Sequence, residues 1–400
     1  MEDDAEFERP TQDAIRVDVQ SLCRGAIRLV LEAVLEQEVR EIVGARRWER
    51  LGRGVRKDYR NGSYLRHLVT SLGSVEVEVP RTRENGSPVG VLGRYRRRME
   101  NVDNAIVAAY VQGVSTRKMG HVTRTLLGEE VKSSTVSRVT KVLEEQVEKL
   151  RRAPIDEPIA YLYLDATFLD ARWARSVENV SALVAYGVGA VTGDRRLLGI
   201  TLGAEESEAS WAEILAQLID RGLEGVRLVI ADAHAGLVAA VRKALPEAKV
   251  QRCTVHLMRN CLAKAPHRLR KRLGRELSRI FAAGGLQEAR KRLAAFQRGL
   301  GAHVPESLTC LEHGFVAATQ FYSFPKAHWQ RLRSTNGLER LHGEVKRRIR
   351  SVGAFPDRSS ALRLITAVAL QTTTSWGSRR YLDMSLLVPT PHAKDEVQAA

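Results

Sequence analysis

Hydrophobic and polar positions change their period several times along the chain, and each change marks a predicted element. From Asp18 apolar residues recur at helical spacing, with Ile27, Val30, Leu31, Val34, Leu35 and Ile42 near one face. Leu68-Val69-Thr70, a turn at Leu72-Gly73 and the alternating Val75-Glu76-Val77-Glu78-Val79 then predict a β-hairpin that Pro80 stops. Residues 103–150 predict three helices: Asn104 to Gln112, a second ending at Leu127, and a third opening near Ser133-Ser134-Thr135-Val136-Ser137-Arg138. Gly113-Val114-Ser115-Thr116-Arg117 separates the first two, with Ser115 as candidate N-cap. Short helices around a Gly-containing turn, the last opening with Ser, Thr and Arg, fit a helix-turn-helix; an ordinary three-helix bundle shares the pattern.

Beyond Arg151–Pro158, a linker with two prolines in five residues, the period changes again. Strands are predicted at Tyr161–Asp165, Ser181–Val191 and Arg195–Leu202. A helix at Ser210–Arg221, a buried strand at Val226–Asp232, a helix at Gly236–Leu245 and a short strand at Lys249–Cys253 follow. Three strands, a helix and then β-α-β describe an α/β domain with a mixed sheet. From Leu262 to Arg333 no strand is evident, and the segment reads as a helical insertion. Two more helices are predicted at Thr335–Arg350 and Leu362–Trp376. The expected organisation is an acidic disordered leader (1–12), a helical and β-hairpin region (13–100) and a helix-turn-helix domain (101–150). A linker (151–160), an α/β domain in two parts (161–261 and 334–385) around an insertion (262–333), and a tail (386–400) complete it.

Charge sharpens this picture. The 400 residues hold 63 Lys and Arg against 47 Asp and Glu, a net +16. The first ten residues hold five acids and one Arg, so 62 basic residues face 42 acids in the rest, a surplus of 20. An excess of that size favours a polyanionic partner, most often nucleic acid. The basic residues cluster: Arg46, Arg47, Arg50, Arg53, Arg56, Lys57 and Arg60, with Trp48 and Tyr59 near the ends; Arg94 to Arg98; and six Lys or Arg without an acid from Lys264 to Arg275. No apolar run reaches 18 residues, since Val180–Val191 is broken by Ser181, Gly187 and Gly189, and no membrane span is expected. The acidic start is unlike a secretory signal, and the four irregularly spaced cysteines suit a reducing compartment. A cytoplasmic protein is expected.

Asp165 and Asp232 each end a predicted apolar strand, Tyr-Leu-Tyr-Leu-Asp and Val-Arg-Leu-Val-Ile-Ala-Asp. Carboxylates at the C-terminal ends of neighbouring strands face the crevice where α/β sheets place their sites, and could share a divalent cation. Singly, either Asp more often caps a turn. A third carboxylate is available on the helix whose buried stripe is Leu338, Leu341, Val345 and Ile349. Glu339 flanks that stripe, with Lys346 nearly two turns on and on the same face for an adjacent phosphate; Glu344 lies on the opposite flank beside Arg340 and Arg348. Periodicity leaves both open. Cys253-Thr254-Val255-His256 and Cys310-Leu311-Glu312-His313 lack the paired spacing of a zinc finger, and zinc is not expected. No phosphate-cradling Gly loop and no Gly-x-Ser-x-Gly elbow occurs.

The chain resembles the bacterial Mutator-like insertion-sequence transposases over most of residues 25–380. The resemblance is carried by Leu198-Gly199, Glu206-Ser207, Trp211, Arg221-Gly222-Leu223, Asp232-Ala233-His234-Ala235-Gly236-Leu237 and Gln251-Arg252-Cys253 with His256 and Arg259-Asn260. Thr335-Asn336-Gly337-Leu338-Glu339-Arg340, Lys346-Arg347-Arg348, Arg60-Asn61-Gly62 and Gly113–Arg117 agree as well. It implies an RNase H-like catalytic domain with Asp165, Asp232 and Glu339 as an Asp-Asp-Glu site, and a basic residue seven positions after the Glu, here Lys346. It also places Cys253 and His256 in the family's Cys-x-x-His motif. In one departure, Asp170 stands where the family commonly has a basic residue five positions after the first Asp; Arg172 follows.

Expected from this is a transposase that binds terminal inverted repeats and target DNA. It would cleave and join strands with two Mg²⁺ ions, Mn²⁺ being able to substitute. The resemblance further implies a circular intermediate, and joining two ends implies at least a dimer, associated with the nucleoid. Candidate DNA contacts are Arg46, Arg47, Arg60, Ser115, Arg117, Ser134, Arg138, Arg340, Lys346 and Arg347. A regulator with a dead nuclease fold, a structure-specific nuclease and a basic RNA-binding scaffold are the competing classes.

Overall fold

The computed structural model describes residues 12–50, 56–88, 90, 92–93, 96–173, 176–203, 205–374, 376 and 380–387. The expected leader up to residue 11, Arg53, Arg94-Tyr95 and the tail from residue 388 lie outside them. Two compact units divide at Lys141 and Val142.

In the first unit α1 (Gln12–Val43) buries Leu31, Leu35, Val39 and Val43 at steps of four. Val30, expected on that face, is 62% exposed, because the stripe follows the i+4 row and Val30 lies one step off it. β1 (Arg60–Thr70) and β2 (Gly73–Thr82) form an antiparallel hairpin closed at Thr70 and Gly73. Leu68, Val75, Val77 and Val79 join Leu31 and Leu35 in one core. Pro80 does not stop the strand as expected: it pairs with Ser63 beside a register shift. In a two-stranded ribbon each strand has a free edge, where the missing N–H is tolerated. Helices α2 (Glu100–Val111), α3 (Thr116–Leu127) and α4 (Ser133–Val139) follow. Ser115 Oγ accepts the Lys118 N–H at 3.3 Å to cap α3, and Gly128 ends it at φ +69°. The third helix opens at Ser133 but stops at Val139.

The second unit begins with α5 (Leu143–Arg152). A meander of β3 (Ile159–Trp173), β4 (Ser176–Gly189) and β5 (Arg195–Gly203) is followed by α6 (Glu208–Asp220), β6 (Leu228–Ala231), α7 (Ala235–Ala244) and β7 (Lys249–Arg252). The sheet order is β5-β4-β3-β6-β7, antiparallel through β3, β4 and β5 and parallel through β3, β6 and β7. Strand periodicity sorts the side chains. Leu162 and Leu164 pack with Trp211, Ile214, Leu237 and Val241 of α6 and α7. Tyr161 and Tyr163 point the other way, Tyr161 edge-on to Phe324 and Tyr163 stacked on Tyr186 at 4.3 Å.

The helical excursion holds α8 (Thr254–Ala263), α9 (His267–Phe281), α10 (Leu286–Arg298), α11 (Pro305–Ala318) and the short α12 (Trp329–Leu332). It buries its own core, with Leu257, Leu273, Leu277, Phe296, Leu311 and Phe315. The chain then returns to the sheet through α13 (Asn336–Val352) and α14 (Arg358–Thr373), both packed on β3. No helix among the described residues is long and apolar enough to cross a membrane.

Candidate active site

Strand pairing sets the first two acids. β3 and β6 pair in parallel at Tyr161–Leu228, Leu162–Val229 and Tyr163–Ile230. Two residues on along each strand are Asp165 and Asp232, at one level where β6 gives way to the loop before α7. Contrary to expectation, β3 does not end at Asp165. It continues to Trp173 against β4, so only its parallel partner stops there. Asp165 is 8% exposed, and its Oδ2 lies 3.4 Å from His342 Nδ1 of α13. Asp232 Oδ1 accepts the Ala233 N–H at 2.7 Å.

Glu339 lies in the first turn of α13, with its Oε1 2.8 Å from Arg259 Nη1 and 3.5 Å from His256 Nε2. That oxygen is buried and makes no well-directed hydrogen bond. Hydrogen bonding with Cys253 raises His256 to about 9 against the opposing effect of burial, and the charges of Cys253, Asp232 and Asp165 add to the rise. His256 thus stands in contact with Glu339 and in electrostatic reach of both aspartates. Burial pushes the Cys253 thiol up, but hydrogen bonds from His256 and Thr335 outweigh it and leave the thiol below its ordinary value.

The start of α8 fastens these parts together. The Cys253 N–H donates to Ala231 O at 2.7 Å, one residue before Asp232. Cys253 Sγ accepts the Thr335 N–H at 3.4 Å and the Thr335 hydroxyl at 3.5 Å, at the cap of α13. The Thr254 N–H and hydroxyl both donate to Arg333 O at 2.9 Å. Cys310, of the other Cys-x-x-His pair, lies beside Cys261, whose thiol is pushed up to about 12 by burial and by Cys310.

Sequence reasoning missed two neighbours. Glu206 accepts the Trp211 Nε1–H at 3.2 Å and lies 3.7 Å from His234. Burial raises its carboxyl; His234 and Trp211 oppose this, and Asp165 and Asp232 reinforce it. His342 sits four residues after Leu338 on the buried stripe, and a histidine in that position was the available signal. Glu206 enters the sequence reading only within Glu206-Ser207, where the resemblance gives it no role and its place just before the Ser207 cap of α6 suggests none.

Three carboxylates offer hard oxygen donors suited to Mg²⁺. Among the described residues, no three His, Cys, Asp or Glu side chains stand close enough together to ligate one ion. Glu339 is paired with cations of the chain itself. Glu344 lies on the other flank of α13, bonded by Arg348 and Arg347, which hold its carboxyl below the usual range.

Arg340 and Lys346 are exposed, and Arg347 pairs with Glu344 at 3.1 Å. In the first unit Arg46, Arg47, Arg117, Ser134 and Arg138 are exposed. Arg60 is engaged twice by Glu36, at 2.9 and 2.6 Å, and Ser115 is buried with its oxygen on the Lys118 amide.

A sequence profile described as "Transposase, Mutator family" matches residues 2–378. The chain belongs to this family. Its relatives within the family include the transposase for insertion sequence element ISRM5 of Rhizobium meliloti (strain 1021), 37% identical over 90% of both chains. The transposase for IS256 in transposon Tn4001 of Staphylococcus aureus is 34% identical over 90% of this chain and 93% of its own. That for IS1081 of Mycobacterium tuberculosis (strain ATCC 25618 / H37Rv) is 36% identical over 92% and 88%. Among solved structures, the Drosophila P element transposase strand transfer complex covers 71% of this chain and 83% of that chain at 10% identity and TM-score 0.31, too slight a likeness to bear on the fold.

Proposed function

We propose that this Mutator-family member is an insertion-sequence transposase that cleaves and joins DNA strands at an Asp-Asp-Glu site of Asp165, Asp232 and Glu339. The observation that carries this reading is the parallel β3–β6 register, which brings Asp165 and Asp232 to one level. The strand order β5-β4-β3-β6-β7, with three antiparallel strands before two parallel ones, supports an RNase H-like catalytic domain. Glu339 is the better third acid than Glu344, because His256 links it to the charges of both aspartates. Glu344 is already satisfied by two arginines.

Once Glu339 leaves Arg259 and His256 to close on the two aspartates, the three acids would hold Mg²⁺, which when bound lowers the pKa of water and neutralises charge on a phosphate under in-line attack. The chain's own residues supply the rest. Arg340 and Lys346, exposed on α13, meet backbone phosphates beside the acids. Arg259 and His256 hold Glu339 until it is needed. His342 holds the Asp165 carboxylate in one orientation. Helices α2, α3 and α4 act as a helix-turn-helix, with Arg117, Ser134 and Arg138 toward the terminal inverted repeats, and the exposed face of α9 adds contacts that carry affinity without sequence. Two ends held for joining call for at least a dimer, and the route runs through a circular intermediate.

The test is cleavage and strand transfer on the flanking element ends, comparing the natural protein with Asp232→Asn, in Mg²⁺ and in chelator. Loss of both products in the variant and in chelator supports the reading. Equal activity of the two proteins overturns the site.

A further inference from the structure

Neither the three acids nor the helix-turn-helix uses the aromatics of the basic run at residues 46–60. Trp48 is 88% exposed, and it is the one non-glycine residue with positive φ, +68°, among the described residues. A large ring in water on a left-handed backbone is doubly unfavourable, and such local strain clusters at functional positions. The turn that presents it is closed on itself: the Glu49 N–H donates to Arg46 O at 3.3 Å, and the Glu49 carboxylate accepts the Arg46 N–H at 2.7 Å. The Arg47 guanidinium stands 5.6 Å from the ring centre.

Tyr59, 51% exposed, is presented in a related way. Its N–H donates to Asp58 Oδ1 at 2.6 Å and its carbonyl accepts the Arg83 N–H at 2.9 Å. The buried Asp58 carboxylate also accepts the Glu84 and Asn85 amides, so the backbone beneath the ring is fixed. Arg56 donates to Glu49 O, one residue after Trp48, while lying 6.0 Å from the Tyr59 ring, and Arg83 approaches that ring at 5.6 Å.

The cleft beside Trp48, about 720 Å³, is lined by arginines and by Glu32, Glu36, Glu49 and Glu78. Those acids are already bonded to Arg28, Arg60, the Arg46 amide and Ser63 respectively. Among the described residues, no carboxylate lies within ion-pair distance of the side chains of Arg46, Arg47 or Arg83. The surface therefore offers open cations beside open rings.

We propose that Trp48 and Tyr59 form a stacking platform for the unpaired bases of single-stranded DNA, with Arg46, Arg47 and Arg83 meeting the flanking phosphates. A blunt duplex keeps its bases stacked inside, whereas an unpaired strand offers base faces to aromatic rings. The inference rests on the reading of this chain as one that handles DNA.

The test measures binding of the full chain to fluorescein-labelled dT12 and to a blunt 20-bp duplex at fixed salt, by anisotropy. Trp48→Ala should lower the ratio of dT12 to duplex affinity roughly tenfold or more, and Trp48→Phe should restore most of it. Arg47→Ala should weaken both ligands and reduce the salt slope by about one. Trp48 lies on the surface, and circular dichroism checks that the variants fold. An unchanged ratio in Trp48→Ala overturns the proposal, as does a change of oligomeric state without DNA, which would assign the ring to a second copy. Trp48-dependent dT12 binding without any cleavage would leave this inference standing and remove the catalytic reading.

Discussion

The acids on the sheet and the acid on the helix are held by different means. Asp165 and Asp232 are set by backbone pairing, and hydrogen bonds of β3 run to β4 on one side and β6 on the other. Glu339 depends on where α13 starts, and that start is fixed by side chains: Cys253 to Thr335 and Thr254 to Arg333. A main-chain ladder tolerates most changes of side chain, while a side-chain fastener fails with a single substitution. The sheet half should therefore be sensitive at the acids, at His342 beside Asp165 and at close backbone approaches, and the helix half at its side-chain fasteners as well.

The largest effect falls on the acids themselves. Asp232→Asn and Glu339→Gln should each lower cleavage and joining on the order of 10²- to 10³-fold, the scale of losing one preorganised charge-stabilising group. Glu344→Gln should cost far less activity, leaving the exposed Arg347 and the buried Arg348 facing a neutral amide whose oxygen can still accept. Equal loss in the two Glu variants would erase the distinction between the flanks of α13. Cys253→Ala comes next. It removes a fully buried thiol and its two contacts from Thr335, and should destabilise the second unit by about 1–3 kcal/mol in denaturant titration. Cleavage should fall further than DNA binding, and Cys253→Ser should recover part of it because a hydroxyl can accept the Thr335 amide.

Gly236→Ala probes the sheet half through its backbone. An added Cβ would lie 2.6 Å from the Glu208 amide nitrogen, forcing apart the segments after Asp232 and Glu206, at a cost of about 1–3 kcal/mol in melting experiments. The smallest effect lies in the first unit. Burial pushes the Asp58 carboxyl up, but hydrogen bonds from Tyr59, Thr82 and Asn85 outweigh it and leave it far below its ordinary range. A carboxyl depressed on folding contributes stability that is present above its unfolded value, about 3.9, and is lost as pH falls below it. Asp58→Asn should flatten the acid side of the stability profile below about pH 4 and leave its shape at neutral pH unchanged.

The sheet half was the legible half. Leu-Tyr-Leu-Asp and Leu-Val-Ile-Ala-Asp mark buried strands, and a carboxylate after an apolar run is conspicuous. The far end of β3 was not legible, because Thr167 to Trp173 mix polar and apolar residues in a hairpin arm held by pairing with β4. On α13 the stripe of Leu338, Leu341 and Val345 was readable and is buried. The period could not rank Glu339 above Glu344, since what separates them is His256, more than 80 residues away in the chain. Glu206, His342 and Arg259 share that difficulty: each earns its place from a partner on another element. On α1, simple helical spacing puts Val30 near the core face, and packing of the hairpin on the i+4 row turns it outward.

The bonds from Thr254 to Arg333 join the two ends of a long helical detour within a single hydrogen bond of each other. The detour leaves and re-enters at a closed doorway, with a hydrophobic interior of its own. Its middle, α9 and α10, is therefore the part that can lengthen or shorten, because α8 brings His256 and Arg259 to Glu339 and Phe324 packs on Tyr161, while the spacing between the strand-borne and helix-borne halves is kept at the doorway.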